Sequence, residues 1–152
     1  MVMSNAKKHS AEAQRLAERA AQALSENDRT SQHLGIRLVE VRPGYARMAM
    51  SVRGDMVNGH HICHGGMVFT LADTAFAYSC NSYNENTVAA TASIDFLAPA
   101  HEGDELTAVA TELWRTRRNG IYEITVTNQR DEPIALFRGR SHRIDGQLVS
   151  AD

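Results

Sequence analysis

The chain has 152 residues, a net charge of −2 and 16 Lys and Arg against 18 Asp and Glu, which suits one domain large enough to bury a core. Its two lysines both lie in the N-terminal arm, so no basic stripe runs along the chain to neutralise a phosphate backbone, and nucleic acid is not an expected partner. Cys63 and Cys80 make no disulfide framework, and MVMSNAKKHSAEAQRLAER carries charges where a signal peptide needs an apolar run. A cytoplasmic, reduced protein without membrane insertion is therefore expected.

From about Ala6 to Glu26, Ala13, Leu16, Ala20 and Leu24 recur at helical spacing, which predicts an amphipathic helix packed on the outside of the domain. IRLVEVR (36–42), a turn at Pro43-Gly44 and YARMAMSVR (45–53) predict a hairpin whose Ala46, Met48, Met50 and Val52 face a core. A polar loop, 54–64, leads into a second helix that starts at Gly65 or Gly66 and runs to Asn81. It is apolar or small around almost its whole circumference, yet Asp73 sits in its middle. Beyond it the pattern turns to period two. TVAATASIDFLAPA predicts a strand with Val88, Ala90, Ala92, Ile94 and Phe96 on one face. ELTAVATELWR (105–115) and GIYEITVTNQR (120–130) flank Asn119-Gly120, a tight-turn signal, and IALFRGRSHRI (134–144) is the last strand.

A central helix followed by a run of strands predicts an α+β domain with an antiparallel sheet on one side of that helix. A helix apolar all round needs cover on its other side too, and a second copy across a two-fold axis is the simplest cover. A dimer at least is expected. The expected organisation is an N-terminal helical arm (1–30), the main domain (31–146) and a C-terminal tail (147–152).

The stretches NGHHICHGGMVFTLADTAFAYSCN (58–81), SIDFLAPA (93–100) and ALFRGRSHRI (135–144) resemble the hot-dog-fold thioesterases of the phenylacetic-acid-degradation (PaaI) type. The likeness runs from about Ala11 to Gly146, and its specific mark is His-Gly-Gly followed by Leu-Ala-Asp-Thr-Ala. The resemblance implies a hot-dog fold, an antiparallel sheet wrapped around one long central helix, here with an added N-terminal helix. It implies dimers that pair into tetramers, and hydrolysis of aryl- or hydroxyarylacetyl-coenzyme A without a separate cofactor, coenzyme A being part of the substrate. Asn58, His64, Gly65 and Asp73 match the family's site positions.

The residues support such chemistry independently. A carboxylate buried among apolar groups needs partners, a proton or a task. Taken alone, Asp73 is open to a structural role, hydrogen-bonded to Thr70 or Thr74; with its flanking motif it reads as a desolvated base or nucleophile facing a thioester carbon. Gly65 and Gly66 at the helix start offer backbone N–H groups at the positive end of the helix dipole to a carbonyl oxygen gaining charge, or simply let the loop turn into the helix. Eight residues separate Gly65 from Asp73, about 12 Å of axial rise, so one chain cannot bring the two together. Two helices antiparallel across a dimer interface can. Asn58 is a candidate for holding the carbonyl or the water, and His64 for fixing the loop or polarising the helix start.

Around this centre the candidates are more open. Thr91 and Ser93 share a strand face and are candidate contacts to water or acyl group. Arg138, Arg140 and His142 on one strand face, and Arg115, Arg117 and Arg118 at a hairpin, are alternative holders of the substrate's phosphates or ordinary solvated surface. Met67, Phe76, Tyr78 and Tyr83 line the acyl pocket or fill core. His60, His61, Cys63 and His64 crowd together but lack the second ligand pair of a structural metal site, so no metal is expected. Two rival functions remain at this level: an acyl-thioester hydratase or dehydratase on the same fold, and a non-catalytic acyl-coenzyme A sensor.

Overall fold

A computed structural model describes residues 2–150; Met1 and the last two residues of the expected 147–152 tail lie outside the described residues. The first helix, α1 (Val2–Asn27), buries Ala17, Ala20 and Ala21 completely or nearly so. Small side chains at that spacing let it lie close against the domain, and Gln14 fastens it by donating to the Val41 carbonyl at 2.8 Å. A short helix, α2 (Arg29–Leu34), follows and was not expected from periodicity. Its signals are local ones: Asp28 caps it by accepting from the Ser31 backbone N–H (3.0 Å) and hydroxyl (2.6 Å), and Gly35 ends it at φ 68°.

Six strands follow: β1 (Arg37–Arg42), β2 (Tyr45–Ser51), β3 (Thr87–Phe96), β4 (Glu105–Arg115), β5 (Asn119–Thr127) and β6 (Pro133–Arg143). They form one antiparallel sheet in the order β1-β2-β4-β5-β6-β3. The central helix α3 (Gly65–Cys80) lies on one face of it, touching β2, β4, β5, β6 and β3. This is the α+β hot-dog arrangement. The core joins Val68, Leu71, Ala72, Ala75 and Phe76 of α3 to Met48, Met50, Leu106, Tyr122, Ile124 and Phe137 of the sheet. Phe76 is held between Tyr122 and Phe137, with ring centroids 5.4 and 6.0 Å away.

Gly139 on β6 is what lets Phe76 sit so close, because a Cβ there would fall 2.7 Å from the ring. Gly139→Ala is expected to lower the thermal midpoint through overpacking worth about 1–3 kcal/mol; an unchanged melting curve would show that Phe76 is free to yield.

Two strand expectations need correction. The β4–β5 turn is made by Arg117 and Arg118, closed by Thr116 N–H donating to the Asn119 carbonyl at 2.7 Å. Asn119 and Gly120 already belong to β5, and Gly120 lacks a side chain for a packing reason: a Cβ would meet Tyr122 at 2.7 Å and Ser141 Oγ at 2.9 Å. In β3, an irregularity between Ala89 and Thr91 breaks the expected alternation. Only Thr87 and Ile94 are half-buried and the rest of the strand is exposed, because β3 is the sheet's edge.

Candidate active site

Two hollows lie at opposite ends of β3. One, of about 550 Å³, is lined by Asn58, Gly65 and Val68 together with Phe96, Leu97 and Ala98, the C-terminal end of the strand. The other, of about 340 Å³, holds Asp73, Phe76 and Cys80 beside Thr87, Val88 and Ala89, the N-terminal end. A single chain thus keeps its carboxylate apart from its helix N-terminus, as the axial rise requires.

The first hollow is built by a turn and a cap. Asn58 Oδ1 accepts from His60 N–H (2.9 Å) and Ile62 N–H (3.4 Å), while the Asn58 N–H donates to the Ile62 carbonyl at 2.8 Å. This side-chain turn uses the carbonyl end of Asn58, a lining residue of the hollow, and no hydrogen bond among the described residues engages its amide NH₂. His64 caps α3: its Nδ1 accepts from Gly66 N–H at 3.3 Å, and its carbonyl accepts from Met67 N–H at 2.9 Å. The expectation of two unpaired glycine donors is therefore corrected to one. Gly66 N–H is engaged by the His64 ring, whereas Gly65 N–H meets no acceptor among the described residues.

Phe96 lies against Gly65, its ring edge 2.9 Å from where a Cβ would stand. The sequence reading puts Phe96 on one face of a strand without bringing it to this site, and it does not bring Leu97 or Pro99 here either; the apolar run after the strand in SIDFLAPA is the available signal. Cys63 also lines this hollow, and burial, with the charge of Asp104, pushes its thiol up to about 11, which keeps it protonated and poor as a nucleophile.

In the second hollow Asp73 is half-buried, and desolvation raises its pKa above the ordinary carboxylate value. The two hydroxyls that the sequence offers it are engaged elsewhere: Thr70 Oγ1 donates to the Gly66 carbonyl at 2.8 Å and Thr74 Oγ1 to the Thr70 carbonyl at 2.7 Å. Among the described residues Asp73 has no hydrogen-bond or ion-pair partner. Of the four residues considered for the acyl wall, Phe76 lines this hollow. Tyr78 is buried in the core, Met67 packs against that core, and the Tyr83 hydroxyl donates to Glu112 at 3.0 Å.

The remaining candidates lie apart from both hollows. Thr91 and Ser93 pair directly with Arg140 and Arg138 across β3 and β6, so all four share the face of the sheet turned away from α3, as does His142. Arg138 is paired with Glu123 at 3.1 Å, while Arg140 donates to Asn119 Oδ1 at 3.3 Å, an atom that His142 Nδ1 also approaches at 3.2 Å. Among the described residues no three His, Cys, Asp or Glu side chains gather as a metal site, and no helix is long and apolar enough to cross a membrane.

Comparison with known proteins places these features in context. The Thioesterase superfamily family model matches residues 60–135. The acyl-coenzyme A thioesterase PaaI of Escherichia coli (strain K12) is 47% identical over 129 residues, covering 85% of this chain and 92% of that protein. A putative esterase of Archaeoglobus fulgidus is 34% identical over 130 residues, 86% of this chain and 84% of its own length. The solved structure of the E. coli PaaI protein from the phenylacetic acid degradation operon matches with a TM-score of 0.87 at 46% identity, covering 88% of this chain and 96% of that one.

Proposed function

The chain belongs to the thioesterase superfamily and is a thioester hydrolase, and from that premise we propose that it cleaves acyl-coenzyme A thioesters, arylacetyl and hydroxyarylacetyl ones foremost, to free acid and coenzyme A. The observation that carries this reading is the unpartnered, desolvated Asp73 at one end of β3 and the unpaired Gly65 N–H at the other. β3 is an edge strand with one side open. If a second copy pairs with it antiparallel, the Asp73 hollow of one subunit meets the Asn58 and Gly65 hollow of the other, giving two sites per dimer.

In such a site the thioester carbonyl oxygen accepts from Gly65 N–H and the Asn58 amide. Asp73 of the partner chain takes a proton from water, the water oxygen bonds to the carbonyl carbon, and the carbon–sulfur bond of the tetrahedral intermediate breaks. The proton returns to the departing thiolate. The developing oxyanion is stabilised by donors that are already aimed and need no reorganisation. Neither metal nor cofactor enters the scheme. The E. coli relative's name as an acyl-coenzyme A thioesterase supports the substrate class, and its operon supports the aryl preference.

Thiol release measured across arylacetyl, benzoyl and straight-chain acyl-coenzyme A thioesters tests this, with highest kcat/KM expected for the arylacetyl group. Enoyl-thioester hydration without thiol release would overturn it in favour of a hydratase, and binding without turnover in favour of a sensor. Asn58→Asp supplies a narrower check, since it keeps the oxygen that holds the 58–62 turn but loses the NH₂ donors. Turnover is expected to fall about 10²-fold, the effect of losing one oxyanion donor, with little change in melting temperature. Unchanged kinetics would restrict Asn58 to the turn.

A further inference from the structure

The Asp73 hollow does not end at the helix. Cys80 and Thr87, which line it, also line a crevice of about 10 Å³, room for no more than a water, bordered by Arg115, Arg117, Arg118 and Arg143. The last three of these arginines, with Ile144, Asp145 and Gly146, enclose a further hollow of about 150 Å³. Four arginines thus stand against two carboxylates, Glu85 and Asp145, on a chain whose net charge is −2.

These arginines differ in what they are free to do. Glu85 bonds both Arg115 (3.1 Å) and Arg143 (3.2 Å), and the Arg115 guanidinium lies over the Tyr83 ring, 3.7 Å from its centroid. Arg117 and Arg118 have no side-chain hydrogen bond or ion pair among the described residues. Yet they project from a fixed turn. Thr116 N–H donates to the Asn119 carbonyl at 2.7 Å, Asn119 N–H to Thr116 Oγ1 at 3.1 Å, and Arg143 N–H to the Arg118 carbonyl at 2.8 Å. Two unengaged guanidiniums on a rigid tip, with Arg143 beside them, form a site for oxyanions that present several acceptor oxygens, because the guanidinium fork matches phosphate geometry. Arg138 and Arg140, by contrast, are already engaged by Glu123 and Asn119.

We propose that Arg117 and Arg118, backed by Arg143, bind the phosphate groups at the nucleotide end of the acyl thioester. The crevice past Cys80 and Thr87 marks the direction from those phosphates to Asp73 and is too narrow to hold the linking arm itself. Seven residues of α3 separate Asp73 from Cys80, about 10 Å, so the phosphates lie well away from the reacting carbon, as a long-armed thioester requires. This assignment rests on the thioesterase reading above and names the part of the substrate that reading left unplaced.

The test compares two thioesters of the same acyl group, one of coenzyme A and one of N-acetylcysteamine, which has no phosphate. In Arg117→Ser/Arg118→Ser, KM for the coenzyme A thioester should rise about ten- to hundredfold, the loss of one or two hydrogen bonds to a charged group. Its kcat and the KM of the truncated thioester should not change. Added salt should raise the wild-type KM and leave that of the variant nearly constant. Equal KM values for the coenzyme A thioester in wild type and variant, equal losses on both thioesters, or the loss appearing instead in Arg138→Ser/Arg140→Ser would each overturn the assignment. Calorimetry with adenosine 3′,5′-bisphosphate reads the site without turnover: binding to wild type that disappears in the variant supports it even if no thioester is cleaved, and equal or absent binding contradicts it.

Discussion

Asp73→Asn is expected to lower thiol release by about 10²–10⁴-fold, the range that a positioned base contributes, while leaving substrate binding and assembly intact. The substitution keeps shape and removes the negative charge. Because Asp73 has no internal partner, nothing in the described chain is orphaned by the change. Stability should move in the opposite direction from activity. Desolvation raises the folded pKa of Asp73 above its unfolded value, so folding favours the neutral acid. The stability this gives is fully present below the unfolded pKa of about 4 and is lost as pH rises through the folded pKa, beyond which the wild type bears the cost of a buried charge. The Asn variant therefore melts at or above the wild-type temperature at neutral pH, and the difference closes under acid. The same shift places the acid limb of wild-type kcat/KM, rising with pH on one ionisation, above the ordinary aspartate range. A variant that melts well below wild type at pH 7, with activity lost in proportion, would mark Asp73 as a structural residue instead.

The second large effect concerns a backbone group and calls for an unusual substitution. Gly65 is the first residue of α3, the position where proline is best tolerated, and His64 before it already has φ −60° and ψ 131°, the extended conformation that a following proline prefers. Gly65→Pro therefore deletes the N–H while preserving the helix. Its Cβ would press on the Phe96 ring, but Phe96 is 56% exposed and able to swing outward. Gly65→Ala introduces the same Cβ and keeps the N–H, so the Pro-to-Ala difference isolates the donor. A loss of about 10²–10³ in kcat is expected for Pro relative to Ala, the usual cost of one oxyanion-hole donor. Equal activity in the two variants would remove Gly65 N–H from the chemistry.

The sequence showed most clearly what depends on long periodic patterns. α3 runs Gly65–Cys80 against an expected start at Gly65 or Gly66, and every strand was anticipated within a few residues. What it concealed depends on contacts between distant residues. Asn119-Gly120 has the signature of a turn, yet Gly120 is glycine because Tyr122 and Ser141 crowd the space above it. β3 looks like a half-buried strand by alternation, and nothing local announces that it lies at the sheet's edge. The His64 cap was hidden because histidine is not among the favoured capping residues, so both glycine donors were counted as free. The arginines illustrate the same point. Arg138 and Arg117 are indistinguishable in sequence, and only the register that sets Glu123 opposite Arg138 shows which of them is engaged. Asp73 was legible as an anomaly because a charge inside an apolar helix violates a strong rule; the arrangement that would make it useful involves a second chain.

That second chain is the central claim, and hybrid dimers test it most directly. Asp73→Asn and Gly65→Pro subunits carrying different affinity tags are co-expressed and the mixed species isolated. Each parent is nearly inactive. If every site takes Asp73 from one subunit and Gly65 from the other, the hybrid holds one site with both defects and one wholly intact, and recovers about half the wild-type rate per dimer. If each chain completed its own site, every site in the hybrid would keep one defect and the mixture would stay as inactive as its parents.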